Sequence, residues 1–296
     1  MTDSILIVGT GALANLFAAR LAAAGVGVTM LGSWPEGLAA LRQDGVRLGD
    51  QVYPVIATAD PADCAGARLA LVLVKSWQTE RAARQLAECL APDGIALTLQ
   101  NGLGNNAILQ RYLGAERSGA GVTTTGATLL GPGHVRPGGE GIISLGQHPR
   151  LGKMIQLLRD SDFSVEVAPD LESLTWSKLL INVAINPLTA LLRVPNGQLL
   201  EIPSARNVIT AAVLEVARVA QSKNISLTFD DPVAAAEDVA HRTAANRSSM
   251  LQDTSRGAPT EIDAICGAVV AAGEECGIPT PVNRTLWQLV RALIST

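Results

Sequence analysis

The feature that most constrains this chain is a glycine-rich turn between an apolar run and a run of helix formers. The segment GTGALA contains Gly9, Gly11 and Ala14; it follows Ser4–Val8 and opens a helical pattern over 12–24. This is the G-x-G-x-x-G/A spacing of a βαβ unit that binds a dinucleotide. Gly9 would permit the tight turn, Gly11 the close approach of a pyrophosphate, and Ala14 close packing of helix on strand. The turn therefore predicts a dinucleotide at the helix N-terminus, where free N–H groups favour an anion.

Apolar runs and helix-like segments continue to alternate through the first half of the chain. The expected elements are strands at 26–31, 69–74 and 95–99, a helix at 79–90, short strands and turns at 117–147, and a helix and strand at 149–168. Strands that alternate with helices favour a doubly wound, parallel sheet.

From about residue 170 the pattern is helical throughout. The expected helices are 171–192, 203–224, 230–254, 260–277 and 281–295. A length of 296 residues exceeds what one hydrophobic core usually organises. We therefore predict an α/β + all-α chain, with a Rossmann-type dinucleotide-binding domain over 1–169 and a helical substrate-binding and catalytic domain over 170–296.

Composition and charge exclude several classes of protein. Apolar residues make up 48% of the chain and charged residues 17%, which excludes intrinsic disorder. The 23 basic and 27 acidic residues are unclustered, which argues against nucleic acid as a partner. We expect no membrane span and no secretory signal, because no apolar run approaches about 20 residues and the N-terminus lacks a basic region. The four cysteines and three histidines have no zinc-binding spacing, so we expect a cytoplasmic enzyme with reduced thiols and no metal.

The residues after the second strand bear on which nicotinamide cofactor is used. Folds that bind NAD usually end this strand with Asp or Glu, which holds the ribose 2′-hydroxyl. Here the strand is followed by Ser33, and the first acidic residue is Glu36. The missing acid favours NADP. No Arg stands at the strand end to hold the 2′-phosphate, which leaves Ser33 and Arg42 as candidates.

Lysine is rare in this chain, with four residues against nineteen arginines. A partly desolvated lysine can release its proton, whereas an arginine cannot. Lys75 ends the buried strand, at the edge where open α/β sheets bind ligands. Lys178 lies in an apolar run, where it is either a functional group or a surface lysine with a buried stem. Lys153 and Lys223 lie in polar surroundings and are expected at the surface.

Three polar residues recur every fourth position in the first helix of the second half. Lys178, Asn182 and Asn186 would project from one stripe of this otherwise apolar helix. Pro187 follows them and predicts a kink. A cation with two amides suits a small molecule that bears a carboxylate and other oxygens.

A second polar cluster lies near the end of the chain. Asn246, Ser249 and Asp253 would share one helix face, which is either functional or a solvated surface. Glu261 would begin the next helix, with Thr260 as its N-cap. A carboxylate in a first helical turn is also stabilising without any function.

Eight segments carry a resemblance to a known family. They are GTGALA at 9–14, VKSWQT at 74–79, QNGLGN at 100–105, TTTGA at 123–127, WSKLLINVAINPLTAL at 176–191, PNGQL at 195–199, NRSSMLQD at 246–253 and TEID at 260–263. In these segments the chain resembles the ketopantoate reductase (2-dehydropantoate 2-reductase) family. The resemblance implies a Rossmann-type domain and a helical domain with catalysis in the cleft between them, and NADPH as cofactor.

The resemblance also implies roles for individual residues. Lys178 matches the catalytic lysine. Substrate-binding positions match Asn182, Asn186 and Ser249, with Asn196 and Asn246 as companions. Cofactor-binding positions match Gly9, Thr10, Gly11, Ala12, Leu13, Ala14, Ser33, Lys75, Asn101, Ala127 and Glu261. Family members often have Arg where this chain has Ser33.

The expected reaction is reduction of ketopantoate to pantoate, with hydride delivered to the C2 carbonyl and a proton donated by Lys178. One alternative is a paralogous NADP-dependent reductase of another branched 2-oxo acid or ketone. Another is a dinucleotide-sensing protein without catalysis, which would not need Lys178 and its asparagines. The Ala- and Val-rich stretch 264–273 is either a homodimer face or a buried core helix.

Overall fold

The protein is described by a computed structural model over residues 3–294, in which the chain divides into two units. Unit 1 contains the chain up to Gln100 and Asn105–Leu171. Unit 2 contains Asn101–Gly104 and the chain from Glu172 onward. The sequence predicts one boundary, between residues 169 and 170, whereas the contacts in the structure also assign the segment 101–104 to the helical unit.

Unit 1 is an α/β unit with two sheets. Its strands are β1 Ser4–Val8, β2 Gly27–Leu31, β3 Val46–Leu48, β4 Gln51–Tyr53, β5 Ile56–Thr58, β6 Ala67–Val72, β7 Leu90–Thr98, β8 Ser118–Thr123, β9 Ala127–Gly131, β10 His134–Pro137, β11 Ile142–Gly146 and β12 Ser164–Ala168. Its helices are α1 Ala12–Ala23, α2 Pro35–Asp44, α3 Thr79–Cys89, α4 Asn105–Leu113 and α5 Gly152–Asp160.

The larger sheet has eight strands in the order β12-β11-β8-β7-β6-β1-β2-β5. Every neighbouring pair is parallel except β8 and β11, which run antiparallel. A second sheet has the order β4-β3-β10-β9. Strands β3–β5 are not predicted from the sequence, because three residues are too few to show a period; helices α2 and α4 are not predicted either.

The first strand shows why the large sheet is covered on both faces. Ile5 and Ile7 pack into one hydrophobic cluster of unit 1, and Leu6 and Val8 pack into another. Successive side chains of a strand point to opposite faces, so a continuous apolar run fits a strand with helices on both sides. The predicted fold class is confirmed: a mostly parallel sheet with helices, followed by a helical unit.

Unit 2 is built from helices. They are α6 Leu171–Leu192, α7 Gln198–Glu201, α8 Pro203–Ser222, α9 Pro232–Arg242, α10 Ser249–Ser255, a π-helical turn at Asp263–Gly267, α11 Ala268–Cys276 and α12 Pro281–Ile294. The predicted helix 281–295 ends on a residue that lies outside the described part of the chain. None of the helices within residues 3–294 combines the length and hydropathy needed to cross a bilayer.

Two of the predicted helices differ from the structure. The segment 230–254 contains two helices rather than one, because the hydroxyl of Ser248 accepts from the Leu251 N–H and begins a new helix. Asn246 therefore lies in the preceding turn and does not share a helix face with Ser249, which corrects that expectation. The predicted helix 260–277 begins at Asp263, so Glu261 precedes it.

The stretch 264–273 is a buried core segment. Ile265, Val269 and Val270 are each at most 2% exposed. Ile265 and Val269 are part of the hydrophobic core of unit 2. Of the two explanations for this stretch, burial within the chain accounts for its apolar composition. The alternative explanation, a homodimer face, has no support from these side chains.

Candidate functional site

The turn after β1 has the geometry of an anion cradle. Gly9 has φ +134°, and a Cβ there would lie 3.0 Å from the carbonyl carbon and oxygen of Leu73. A Cβ on Gly11 would meet no atom within 4 Å, so space stands open beside this residue. Helix α1 begins without any side-chain cap. Its first N–H groups are thus available to an anion, and the turn fits a pyrophosphate.

A buried asparagine that the sequence analysis missed holds this turn. Asn15 Nδ2 donates to the carbonyl oxygens of Thr10 and Gly11, both at 2.9 Å. The signal available in the sequence was an asparagine in a mostly apolar helical segment, and the structure shows that this side chain is fully buried. Ala14 is also fully buried, whereas Ala12 and Leu13 are half-buried in the first helical turn.

Ser33 and Lys75 follow the two strands that flank β1. Strand β2 precedes Ser33 and β6 precedes Lys75, and both strands pair parallel with β1. The carboxyl ends of parallel strands meet at one edge, so both residues lie at the edge that carries the glycine turn. Ser33 is exposed and accepts a hydrogen bond from Arg81 Nη1 at 2.5 Å. Lys75 is half-buried.

Two other residues considered for the cofactor lie elsewhere in unit 1. Arg42 donates from Nε to the carbonyl oxygen of Ala57 at 2.8 Å, which directs part of its guanidinium toward β5. Ala127 begins β9 in the four-stranded sheet, where it packs partly buried against the hydrophobic core.

A hydrogen-bond network fixes the backbone around Lys75. Gln100 Nε2 donates to the Val74 carbonyl at 2.9 Å and to Thr79 Oγ1 at 2.8 Å. Thr98 Oγ1 donates to Gln100 Oε1 at 2.9 Å. The side chain of Gln100 thereby ties the loop after β6 to the end of β7. Val74 and Thr79 are 26 and 21 positions from Gln100, so spacing alone does not reveal these two contacts.

In unit 2, α6 carries the predicted stripe of Lys178, Asn182 and Asn186. Lys178 and Asn182 are half-buried, and Asn186 is buried. Burial lowers the pKa of Lys178 to about 8, and the carboxylate of Glu261 opposes that shift. The helix runs on through Pro187 to Leu192. A lysine of this pKa exchanges its proton near neutral pH.

The amide of Asn182 has an unsatisfied donor. Its Nδ2 atom is buried and finds no hydrogen-bond partner within residues 3–294. A buried donor left without a partner is costly, so such groups mark places where a ligand or ordered water completes the bonding. This donor stands one helical turn from Lys178, on the same face of α6.

Glu261 and Asn101 come together in unit 2. Asn101 Nδ2 donates to Glu261 Oε2 at 3.2 Å, and Glu261 is 5% exposed. The segment 101–104 is held there by a hydrogen bond of 3.0 Å from the Leu103 N–H to the Ala264 carbonyl. Since Glu261 also acts electrostatically on Lys178, the structure groups these three predicted residues.

The remaining predicted substrate residues lie at or against the turn between α9 and α10. Asn196 is buried, donates from Nδ2 to Thr243 Oγ1 at 2.9 Å and from its N–H to the Asn246 carbonyl at 3.0 Å. The side chains of Asn246 and Ser249 are exposed. Thus Asn196 braces this turn.

A buried hydroxyl pair was also missed. Ser248 Oγ lies 2.7 Å from Thr189 Oγ1, and both residues are buried. Thr189 Oγ1 in turn lies 2.9 Å from the Ile185 carbonyl oxygen on α6. This pair anchors the start of α10 to α6, and its members are too far apart in sequence to be recognised as neighbours.

Comparison with protein families and curated proteins gives consistent matches. Residues 5–150 match the family described as Ketopantoate reductase PanE/ApbA, and residues 170–294 match Ketopantoate reductase PanE/ApbA C terminal. The chain is 39% identical to the 2-dehydropantoate 2-reductase of Halobacterium salinarum, with 97% of each chain covered. It is 38% identical to the enzyme of that name from Archaeoglobus fulgidus, with 98% of each chain covered.

Two solved structures are similar over almost the whole chain. A ketopantoate reductase of this family from Ralstonia eutropha JMP134 has a TM-score of 0.92 at 31% identity, covering 99% of this chain and 98% of that one. The ternary structure of a D-mandelate dehydrogenase with NADH and anilino(oxo)acetate has a TM-score of 0.91 at 25% identity, with the same coverage.

Proposed function

Because the chain belongs to the ketopantoate reductase family, we propose that it reduces ketopantoate to pantoate with NADPH and that Lys178 is the general acid. The family membership makes the protein an oxidoreductase with a small-molecule substrate and a dinucleotide cofactor. The identity of the substrate, the use of NADPH and the roles of single residues are our proposal.

Most of the proposed cofactor-binding residues lie in unit 1, and Asn101 and Glu261 lie in unit 2. The N–H groups at the start of α1 would donate to the pyrophosphate, in the open space beside Gly11. Ser33 and Lys75, at the same sheet edge, would contact the outer parts of the dinucleotide, and Asn101, Ala127 and Glu261 would border the nicotinamide. When bound, NADPH supplies the hydride that reduces the C2 carbonyl.

Residues of unit 2 would hold the substrate and supply its proton. Negative charge develops on the carbonyl oxygen during reduction, and the Lys178 ammonium would donate a hydrogen bond to that oxygen and then transfer its proton. The unpaired Asn182 Nδ2 would donate to a substrate oxygen, and Asn186 would bond the substrate hydroxyl. Ser249 and Asn246 would bind the carboxylate, with Asn196 bracing the turn that carries Asn246.

The observation that carries this proposal is the setting of Lys178. Burial brings its pKa to about 8, and Glu261 opposes a further decrease. The ammonium form is therefore present at neutral pH, yet its proton is far more easily released than that of an exposed lysine. A lysine that served only as a surface charge would be exposed to solvent, and burial would not lower its pKa.

Substitution of Lys178 tests the proposed role. Lys178→Ala should lower kcat for ketopantoate by about 10²–10⁴-fold, the usual worth of a general acid, with little change in NADPH affinity. Lys178→Arg should be comparably impaired, because a guanidinium keeps its proton. Turnover is followed by NADPH absorbance and NADPH binding by calorimetry.

A matched control is Lys153→Ala, which removes an exposed lysine that pairs with Asp3 at 2.6 Å. This variant should retain the activity of the wild type. Full turnover by Lys178→Ala would remove Lys178 from the catalytic role, and absence of ketopantoate reduction by the wild type would reject the proposed substrate.

The similarity to a D-mandelate dehydrogenase supports a second candidate, reduction of another branched or aromatic 2-oxo acid. That relative was solved with anilino(oxo)acetate, and it shares this fold at a TM-score of 0.91. Measuring kcat/KM for ketopantoate, phenylglyoxylate and 2-oxoisovalerate separates the two. The proposed function requires ketopantoate to have the highest value.

A further inference from the structure

The loop after β2 lacks the group that usually selects between NAD and NADP, but it borders the phosphate-binding turn directly. The Gly9 N–H donates to the carbonyl of Leu31, the last residue of β2, at 2.8 Å. A Cβ on Gly32 would lie 2.6 Å from Thr10 Cγ2, so the next residue also packs on the turn. Ser33 follows and is exposed. It therefore stands where the ribose 2′ substituent of a bound dinucleotide is expected.

A cation reaches this position from a different element. Arg81, in the first turns of α3, donates from Nη1 to Ser33 Oγ at 2.5 Å. The start of α3 is fixed by Thr79, whose hydroxyl accepts from Gln100 Nε2. The guanidinium is thus brought to the end of β2 by a helix that begins 46 positions beyond Ser33 in the chain, a placement that spacing in the sequence does not reveal.

The charges around Arg81 leave it available to an anion. The carboxylate of Glu80 is bound by Arg84 at 2.9 Å and by the Tyr112 hydroxyl at 2.7 Å. Within residues 3–294, Arg81 forms no ion pair with a carboxylate. Arg81 donates instead to the neutral hydroxyl of Ser33, which can also donate to a phosphate oxygen.

We infer that Arg81, together with Ser33, binds the 2′-phosphate of NADP(H) and sets the preference for NADP(H) over NAD(H). A guanidinium offers two parallel N–H donors to a phosphate. A ribose 2′-hydroxyl instead calls for a carboxylate acceptor, which this loop does not present. The inference rests on the proposed function, since it concerns the same cofactor.

The test compares Arg81→Gln with Arg68→Gln, a control that removes the same charge from an exposed arginine of β6 that pairs with Asp93 at 3.6 Å. In Arg81→Gln, the ratio of kcat/KM for NADPH to that for NADH should fall about 10–100-fold, the usual worth of a hydrogen bond between charged groups. Calorimetry should show a similar loss of affinity for adenosine 2′,5′-bisphosphate and none for 5′-AMP. Arg68→Gln should leave both measurements near those of the wild type.

A second variant reverses the preference. Ser33→Asp places a carboxylate beside Arg81, where it would accept from a ribose 2′-hydroxyl and repel a 2′-phosphate. The ratio should then shift toward NADH. The inference is overturned if Arg81→Gln weakens both cofactors equally, or leaves the ratio and bisphosphate binding unchanged.

The calorimetry also separates this inference from the proposed function. If the wild type does not reduce ketopantoate, but Arg81→Gln binds adenosine 2′,5′-bisphosphate more weakly than the wild type does, the proposed function fails and the inference holds. If the wild type reduces ketopantoate, and Arg81→Gln leaves the ratio of kcat/KM for NADPH to that for NADH unchanged, only the inference fails.

Discussion

At the scale of single residues, Lys178 shows how burial creates a usable acid. Removal from water disfavours the ammonium and lowers its pKa to about 8, while the nearby carboxylate of Glu261 favours the charged form. The stripe of residue types was visible in the sequence, because a repeat of four places side chains on one helix face. The pKa of Lys178 was not visible, because burial, its main cause, depends on how the folded chain packs around the side chain, and because Glu261 lies 83 positions away.

The pKa of Lys178 predicts the pH dependence of the reaction. Reduction needs the ammonium form, so kcat/KM for ketopantoate should be level below the pKa and fall as pH rises through about 8, by tenfold per pH unit above it. Oxidation of pantoate needs the neutral amine and should rise over the same range. Both profiles can be measured between about pH 6 and 10. A reduction rate that stays level across this range would contradict the assignment.

At the scale of the element, the two glycines of the turn between β1 and α1 have separable roles. Gly9 has φ +134° and abuts the backbone of Leu73, so Gly9→Ala should strain the fold and lower the melting temperature. Gly11 has ordinary φ of −80° and no neighbour for an added Cβ, so Gly11→Ala should fold like the wild type but lose dinucleotide affinity. Calorimetry with NADP⁺ and thermal unfolding measure the two effects. Unchanged nucleotide binding by Gly11→Ala would place the pyrophosphate elsewhere.

Prediction from sequence succeeded at elements with a continuous apolar run or a long helical segment. Strand β1 was predicted at its observed limits from its apolar run, and the helix 171–192 from its length of helical pattern. The break between α9 and α10 was not found, since it depends on a local cap by Ser248 within a segment of high helix propensity. The π-helical turn before α11 shifts the start of that helix past Glu261, which no composition signals.

At the scale of the whole molecule, two separate segments of the chain contribute to the helical unit. The segment Asn101–Gly104 belongs to unit 2 although its neighbours on both sides belong to unit 1. Gly102 has φ +84°, and a Cβ there would lie 2.3 Å from the Ala264 carbonyl oxygen. The segment therefore fits onto unit 2 only with glycine at this position.

Comparison of two glycines tests this attachment. Gly102→Ala should lower the melting temperature more than Gly104→Ala, which has a similar φ of +87° but no atom within 4 Å of an added Cβ. Because displacement of the segment would move Asn101 away from Glu261, Gly102→Ala should also lower kcat for ketopantoate. Thermal unfolding and NADPH-coupled assays measure these changes. Equal behaviour of the two variants would show that the segment is not held by this contact.

Because two segments form the helical unit, this unit cannot be transplanted onto another scaffold as one continuous piece of chain. A single cut before Glu172 would leave behind the tetrapeptide that covers the Ala264 carbonyl and supplies the partner amide of Glu261. A graft would have to carry that tetrapeptide as well, either from a loop of the new host or as a short extension joined to the excised piece.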